Sequence, residues 1–253
     1  MATPVLYHIQ VSHYNEKVRW ALDYKGIPHV RKAPPPMFHT AWAFAMTRGA
    51  TFPVLKLDGN TIGDSTRIIE ELERTHPEPP LYPEEPAERA RALELEEFFD
   101  EELAPHLRRA VFAEVTRDSE AFAWAAAPRA GRAVHAGFKS TAMLAGPLLR
   151  MRFGIKPETA AQGWDKTVAA VDRLESELGG GDHLVGDRFT IADLTAAALF
   201  FPLVRPAEAE YLVPEPLPPV FAERRAALSS RPGFRWVEET YRRHRGASAE
   251  VPA

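Results

Sequence analysis

The hydrophobic pattern divides the chain into a short front part with strand-like runs and a longer helical part. The mainly apolar run at residues 5–9 predicts a buried strand, and from Asn15 onward apolar residues recur at helical spacing. Residues 29–32 predict a second strand, so the chain begins with a strand-helix-strand unit. Two apolar runs around Asp58-Gly59-Asn60 predict a β-hairpin. The front part is therefore expected to be an α/β unit with a mixed four-stranded sheet.

A proline-rich stretch separates this unit from the rest. Residues 76–86 hold five prolines in eleven positions, which rules out a regular element. We therefore expect one domain over residues 1–76, a linker over 77–87, an all-helical domain over 88–246, and a frayed tail over 247–253.

The helical part has clear elements at its ends and a weak pattern in the middle. Residues 87–103 and 167–178 are amphipathic, and residues 194–201 are apolar enough for a central buried helix. Thr190 and Asp193 have capping-box spacing before that helix. At most two helices are expected over residues 117–165, because Gly146, Pro147 and Gly154 act as breakers there.

Composition and charge narrow the possible functions. The net charge of −4 and a pI near 6.2 argue against nucleic acid or an anionic membrane as the main partner. No apolar run is long enough to span a membrane and residues 1–4 do not resemble a secretory signal, so a cytoplasmic protein is expected. The chain has no cysteine, so thiol chemistry would need a thiol supplied by a ligand. The histidine spacing predicts no metal site.

Polar residues lie at two predicted helix starts. Ser12 and Asn15 stand where the first strand gives way to a helix, and Asp64-Ser65 precede the helical pattern of residues 66–74. Helix N-termini attract anions, so these residues are candidates for ligand binding. Serine, asparagine and aspartate also cap helices in any protein, and that interpretation stays open at both places.

Taken in order, these features resemble the glutathione S-transferase family, and in particular a bacterial member of the serine/cysteine-class type. The resemblance covers most of the chain. It rests on the strand-helix-strand start, the turn at Phe52-Pro53-Val54-Leu55, the Asp64-Ser65 pair, the proline-rich linker, and the capping box of the helical domain. It implies a thioredoxin-like N-terminal domain that binds glutathione and an all-α C-terminal domain that lines a pocket for a second, hydrophobic substrate.

The resemblance also implies roles for single residues. Phe52 would meet the glutathione cysteine through its backbone, with Pro53 in the cis form, and Asp64 and Ser65 would hold the γ-glutamyl end. Ser12, with Asn15, would stabilise the glutathione sulfur as the catalytic group. Tyr7 and Tyr14 are alternative partners for the sulfur. His39 and Trp42 are lower-ranked candidates near the glycyl end of glutathione.

The implied function is a glutathione transferase-like enzyme of detoxification, which activates the thiolate of glutathione for attack on a small hydrophobic electrophile. The alternatives are a non-catalytic binding or scaffold protein with this fold, and a glutathione-dependent isomerase or dehalogenase. The sequence departs from the family at Asn15, where related chains often have Cys or Ser, and at Ala50-Thr51, where Gly-Lys is usual. The segment from 110 to 163 is longer than the usual connection. A homodimer is implied by the resemblance alone.

Overall fold

The front part of the chain forms a four-stranded mixed sheet in a computed structural model that describes residues 2–34, 39–49 and 51–252. The strand order is β2-β1-β3-β4; β1 and β2 are parallel, and the other two pairs are antiparallel. The predicted sheet and hairpin are thus confirmed. The strands are β1 Val5–Tyr7, β2 Val30–Lys32, β3 Val54–Leu57 and β4 Asn60–Gly63.

Three helices accompany this sheet. The first, α1, crosses from β1 to its parallel neighbour β2, and buries Val18, Trp20 and Leu22 completely. The predicted helix near residues 38–46 is α2, although Phe38 and the prolines at 35 and 36 lie outside the described residues. The helices are α1 His13–Tyr24, α2 His39–Thr47 and α3 Ser65–Thr75.

After the proline-rich stretch the described chain is helical. The predicted helix over 87–103 is α4, and it continues through a π-helical segment into α5. The elements are α4 Pro86–Phe98, the π-helical segment Phe99–Leu103, α5 Ala104–Val115, α6 Ser119–Ala126, α7 Arg132–Arg152, α8 Pro157–Leu178, α9 Ile191–Val204, α10 Pro219–Leu228 and α11 Pro232–His244.

The predicted central helix is α9. All of its residues except Pro202 are buried, and it packs against α1, α4 and α11. The backbone N–H of Thr190 donates to Asp193 Oδ2 at 2.8 Å, which completes the predicted capping box. Because α9 contacts α1, it ties the helical part to the sheet part. No helix in the described ranges is long and apolar enough to cross a membrane.

The expected breaks at Gly146 and Pro147 are wrong, because both residues lie inside the 21-residue helix α7. A Cβ on Gly146 would lie 2.7 Å from the Thr116 carbonyl oxygen, so glycine here permits close packing of α7 on the end of α5. Gly154, with φ of +61°, follows the end of α7 as expected. Helix α8 begins ten residues earlier than the amphipathic pattern at 167 predicted.

The expectation of a frayed tail is also wrong. The backbone N–H of Val251 donates to the His29 carbonyl at 2.9 Å, and the N–H of Ala249 donates to Asp23 Oδ1 at 2.8 Å. The tail therefore pairs with His29, the residue before β2. Pairing of this kind joins the two ends of the chain, and local sequence pattern does not encode it.

A buried ion cluster holds the same region together. Arg245, only 2% exposed, contacts Glu16 at 2.7 Å and Asp23 at 2.8 Å. Arg19 also pairs with Glu16, and Arg31 pairs with Asp23. Burial alone would raise the pKa of Glu16, but Arg245 and Arg19 outweigh it and hold that pKa below its usual value. The body of α1 is therefore fixed to the C-terminal end of α11.

Candidate functional site

A cavity of about 870 Å³ opens where the sheet part meets the helical part. Its size is typical of small-molecule sites. One wall comes from the ends of β1, the turn before β3 and the start of α3. The opposite wall comes from α5, α7 and the segments around α9. Lining residues of the first wall include Ser12, His13, Tyr14, Phe52, Pro53, Asp64 and Ser65, and those of the second include Arg108, Val111, Phe112, Leu149, Phe153 and Phe221.

Ser12 occupies the N-cap position of α1, with extended backbone angles. Its carbonyl accepts the first helical hydrogen bond, from the N–H of Glu16 at 2.9 Å. Its hydroxyl makes no capping hydrogen bond with any residue that the structure describes. The hydroxyl is therefore free to meet a ligand at the positive end of the helix.

Asn15 lies behind this point rather than on the cavity wall. It is fully buried, its Oδ1 accepts from the Ile9 N–H at 3.1 Å, and its Nδ2 donates to the Phe52 carbonyl at 3.3 Å. The amide thus joins the end of β1 to the turn before β3. Its geometry suits positioning of the site better than contact with a ligand.

The Phe52–Pro53 peptide bond is cis, as the resemblance implied. Phe52 is 6% exposed and packs with Ala43 and Val54, and this packing holds the turn in place. Both Phe52 and Pro53 line the cavity. The turn therefore presents backbone to the same space as Ser12.

Asp64 and Ser65 lie on the same cavity wall as Ser12, at the start of α3. Asp64 has φ of +78°, a strained conformation for a residue other than glycine, and such strain is most common at functional sites. Its Oδ1 accepts from the backbone N–H groups of Thr66 and Arg67 at 3.1 and 3.2 Å, so Asp64 does cap the helix. Ser65 is 4% exposed and faces the same space.

The lower-ranked candidates divide between the cavity and other places. Tyr14 lines the cavity, but its hydroxyl donates to the Asp100 carbonyl at 2.7 Å, and burial raises its pKa. Tyr7 packs beside Phe52, with Lys56 over its ring, and is not among the cavity-lining residues. Trp42 is 47% exposed on α2 and is not among them either, while the side chain of His39 lies outside what the structure describes.

Sequence reasoning missed a buried lysine beside this wall. Lys17 Nζ contacts Glu96 Oε1 at 2.7 Å, Asp100 Oδ2 at 2.6 Å and Thr66 Oγ1 at 3.2 Å. This joins α1 to the start of α3 and to the junction of α4 with the π-helical segment. Burial raises the pKa of Glu96, and Lys17 opposes that effect. The four-residue spacing of Glu96 and Asp100 was the only signal in the sequence.

Two further cavity residues were also missed. His13 Nε2 is buried without a hydrogen-bond partner among the described residues, and burial, with the charge of Arg108, lowers the pKa of His13 to about 3. Its imidazole is therefore neutral at physiological pH. Arg108 comes from α5, far along the sequence, so spacing could not have linked it to His13.

The fold and this wall have counterparts among known proteins. The model of the glutathione S-transferase N-terminal domain matches residues 6–80, and that of the C-terminal domain matches residues 157–223. The first match holds the cis-proline turn and Asp64-Ser65, and the second holds the capping box of α9. The chain belongs to the glutathione S-transferase family.

The curated relatives that the chain matches are named maleylacetoacetate isomerase or probable maleylacetoacetate isomerase. A probable maleylacetoacetate isomerase 1 from Drosophila melanogaster is 33% identical over 129 residues, which cover 48% of this chain and 52% of that protein. The chain spans about half the length of the curated relatives it matches, 42 to 63% of each.

Solved structures repeat the fold over nearly the whole chain. A beta-etherase from Sphingobium sp. strain SYK-6 has a TM-score of 0.60 at 22% identity, and the match covers 94% of this chain and 99% of that one. A glutathione S-transferase from Methylobacterium radiotolerans, solved with glutathione sulfonate, has a TM-score of 0.57 at 23% identity and coverages of 92% and 93%. At these identities the structures support the fold and nothing finer.

Proposed function

We propose that this chain binds glutathione along the Ser12, Phe52 and Ser65 wall and activates its thiol for attack on a small hydrophobic electrophile. The observation that carries the proposal is the free Ser12 hydroxyl at the N-terminus of α1, on the same cavity as the cis-proline turn and the start of α3. These are the positions at which the family resemblance places the sulfur, the cysteine backbone and the γ-glutamyl end.

The chemistry needs a thiolate. A free thiol has a pKa of about 8.5, so only a few per cent is ionised at pH 7. Lowering that pKa by about two units takes roughly 2.7 kcal/mol of selective stabilisation of the anion. A hydroxyl hydrogen bond from Ser12 and the partial positive charge at the start of α1 together supply energy of that order.

The opposite wall suits the electrophile. Val111, Phe112, Leu149, Phe153 and Phe221 give it apolar surface, and the two walls face one cavity. An apolar acceptor would lose water contact there beside the sulfur. Asn15 would keep the cis-proline turn in register with the start of α1, and Lys17 would do the same for α3.

The test has a binding part and a rate part. Calorimetry should give a dissociation constant for glutathione below the millimolar range, and 1-chloro-2,4-dinitrobenzene should be conjugated with release of chloride. Ser12→Ala should slow conjugation at pH 7 by at least about tenfold, since one charge-assisted hydrogen bond is lost. Ser140→Ala, on the exposed side of α7, is the matched control and should change neither quantity.

Two outcomes would contradict the proposal. Absence of glutathione binding at millimolar concentration would favour the non-catalytic binding protein of the same fold. An unchanged conjugation rate in Ser12→Ala would remove the serine from the sulfur site and favour the backbone N–H groups at the start of α1, since the Tyr14 hydroxyl already donates to the Asp100 carbonyl.

A glutathione-dependent isomerase is the second candidate, and the names of the curated relatives favour it. It would use the same thiolate: addition to a double-bond carbon, rotation, and expulsion of the thiolate. Product analysis separates the two candidates. Conjugation consumes glutathione and forms a thioether, whereas isomerisation returns glutathione unchanged.

The division into domains at residues 76 and 88 and a homodimeric assembly belong to the same proposal, on the strength of the family resemblance. Light scattering checks the second of these. A mass near 56 kDa, about twice the 28.2 kDa of the chain, is expected, and the monomer mass at all concentrations would contradict it.

A further inference from the structure

The second wall of the cavity has a positive pole that the thiol chemistry does not use. Arg108 projects from α5 and lines the cavity beside Phe112 and Phe153. Its guanidinium lies 5.0 Å from the centre of the Phe153 ring, and that of Arg152 lies 5.5 Å from the same ring. Phe112 meets Phe153 edge-on, with ring centres 5.3 Å apart. Two arginines therefore flank a small aromatic platform.

Arg108 has no counter-charge within the part of the chain that the structure covers. Its Nε is buried and has no hydrogen-bond partner in the ranges that the structure describes. Burial lowers the pKa of Arg108, and so do its positive neighbours Arg109 and Arg152. Tyr14 is the other titratable group that acts on it.

None of the carboxylates that line the cavity pairs with Arg108 in the described structure; they are Asp64, Glu70, Glu96, Glu97, Asp100 and Glu101. Lys17 contacts Glu96 Oε1 and Asp100 Oδ2, while Asp100 Oδ1 has no partner among the described residues. An arginine that is half-buried and unpaired is costly unless an anion joins it.

His13 adds an uncharged polar group to the same cavity. It follows Ser12 directly, it is 4% exposed, and its Nε2 has no partner in the described structure. The rings of His13 and Tyr14 meet with their centres 4.8 Å apart, and both residues line the same cavity as Arg108. As a neutral imidazole, His13 can donate one hydrogen bond to a ligand oxygen without adding charge.

We propose that Arg108, with His13, binds a carboxylate or similar anionic group on the acceptor substrate, whose aromatic or apolar body packs on Phe112 and Phe153. The acceptor class would then be aromatic acids rather than neutral hydrophobic molecules. This deepens the proposed function and depends on it for catalytic meaning, but binding of the acid is measurable without catalysis. The planar guanidinium suits a carboxylate because it donates two parallel hydrogen bonds.

The test compares an acid with its neutral counterpart. The probes are 2-naphthoate and 2-naphthamide, which share size and ring system and differ in charge. In the unaltered protein, calorimetry should show tighter binding of the acid. Arg108→Met should weaken 2-naphthoate by on the order of 10- to 100-fold, as expected for loss of a charge-assisted pair, and should change 2-naphthamide by less than about threefold. Arg108→Lys should retain part of the affinity for the acid.

Arg109→Met is the matched control, because Arg109 is the next residue on α5 and is not among the residues that line the cavity. It should leave both dissociation constants within about twofold of the parent value. Equal losses for acid and amide in Arg108→Met, or an equal loss of acid binding in the Arg109 control, would overturn the proposal. So would a parent protein that binds the amide as well as the acid.

Glutathione affinity separates this inference from the proposed function. It should be unchanged in Arg108→Met, and a parallel loss would mean that Arg108 holds the glycyl carboxylate of glutathione instead of the acceptor. If the parent chain binds naphthoate through Arg108 but does not bind glutathione, the anion site stands and the transferase proposal falls.

Discussion

The body of α1 and its N-terminal end differ in how their polar groups are satisfied. In the body, Glu16 and Arg19 belong to a cluster in which each buried charge meets an opposite charge. At the end, Ser12 keeps a free hydroxyl and His13 keeps a buried nitrogen without a partner in the described chain. A paired group stabilises the fold, whereas an unpaired group beside a cavity remains available to a ligand. One helix thus carries both the buried ion cluster and the end that we propose binds the ligand.

The largest expected effect on stability comes from Arg245→Met, which removes one cation of the buried ion cluster that anchors α1. The change leaves Glu16 and Asp23 buried without one of their cations, and we expect the free energy of unfolding to fall by about 3–5 kcal/mol at pH 7. Urea unfolding measures it. Arg243→Met is the control: Arg243 pairs with Glu239 and Asp182 at the surface, and its loss should cost less than about 1 kcal/mol. Equal costs for the two arginines would contradict the description of the cluster as an anchor.

The same variant has a pH signature. Because the pKa of Glu16 is lowered in the folded protein, its pairing stabilises the fold above the ordinary carboxyl pKa of 4.5 and is lost as the pH falls through the folded value. The difference between the parent chain and Arg245→Met should therefore shrink in acid.

Replacing Lys17 tests the contacts that join α1 to α3 and α4 beside the cavity. Lys17→Met should cost about 2–4 kcal/mol at pH 8, because Glu96 and Asp100 then lack their cation. The folded-state pKa of Glu96 is already raised by burial and should rise further without Lys17. A raised carboxyl pKa favours the protonated folded state, so the cost should be smaller at pH 5 than at pH 8. A cost that is independent of pH would mean that Lys17 does not influence the protonation of Glu96.

The smallest expected effect on stability concerns His13. Its pKa of about 3 in the folded protein against an ordinary value of 6.5 means that unfolding takes up a proton below pH 6.5. Stability from this group is present above pH 6.5 and is lost as the pH falls toward 3. Between pH 7 and pH 5, the free energy of unfolding of His13→Gln should therefore fall by about 2 kcal/mol less than that of the parent chain. Parallel pH profiles of unfolding free energy would show that the imidazole is not buried as described.

How much the sequence could predict depended on how local each feature is. The hairpin at Asp58-Gly59 and the capping box at Thr190 and Asp193 followed from neighbouring residues, and both were confirmed. The continuity of α7 through Gly146 was missed, because the reason for that glycine is a carbonyl on another helix. The ordered C-terminal segment was missed for the same reason, since it pairs with His29, far away in the sequence.

The site shows the same limit. The Phe52–Pro53 turn and Asp64-Ser65 were identified by motif, and the structure brings them onto one cavity with Ser12. Lys17 and Arg108 carry no motif, and an isolated lysine or arginine in a helix usually points to solvent. Their places beside the cavity arise from helices that meet only in the folded chain, so sequence pattern could not reveal them.

The most direct test of the account is a pH titration of the thiolate absorbance of bound glutathione, in the parent chain and in Ser12→Ala. Ser12 makes no capping bond to a described residue, so the substitution should leave the unfolding free energy within about 0.5 kcal/mol while raising the bound thiol pKa by about one unit or more. An unchanged thiol pKa with an intact fold would contradict the claim that the open end of α1 holds the sulfur through Ser12.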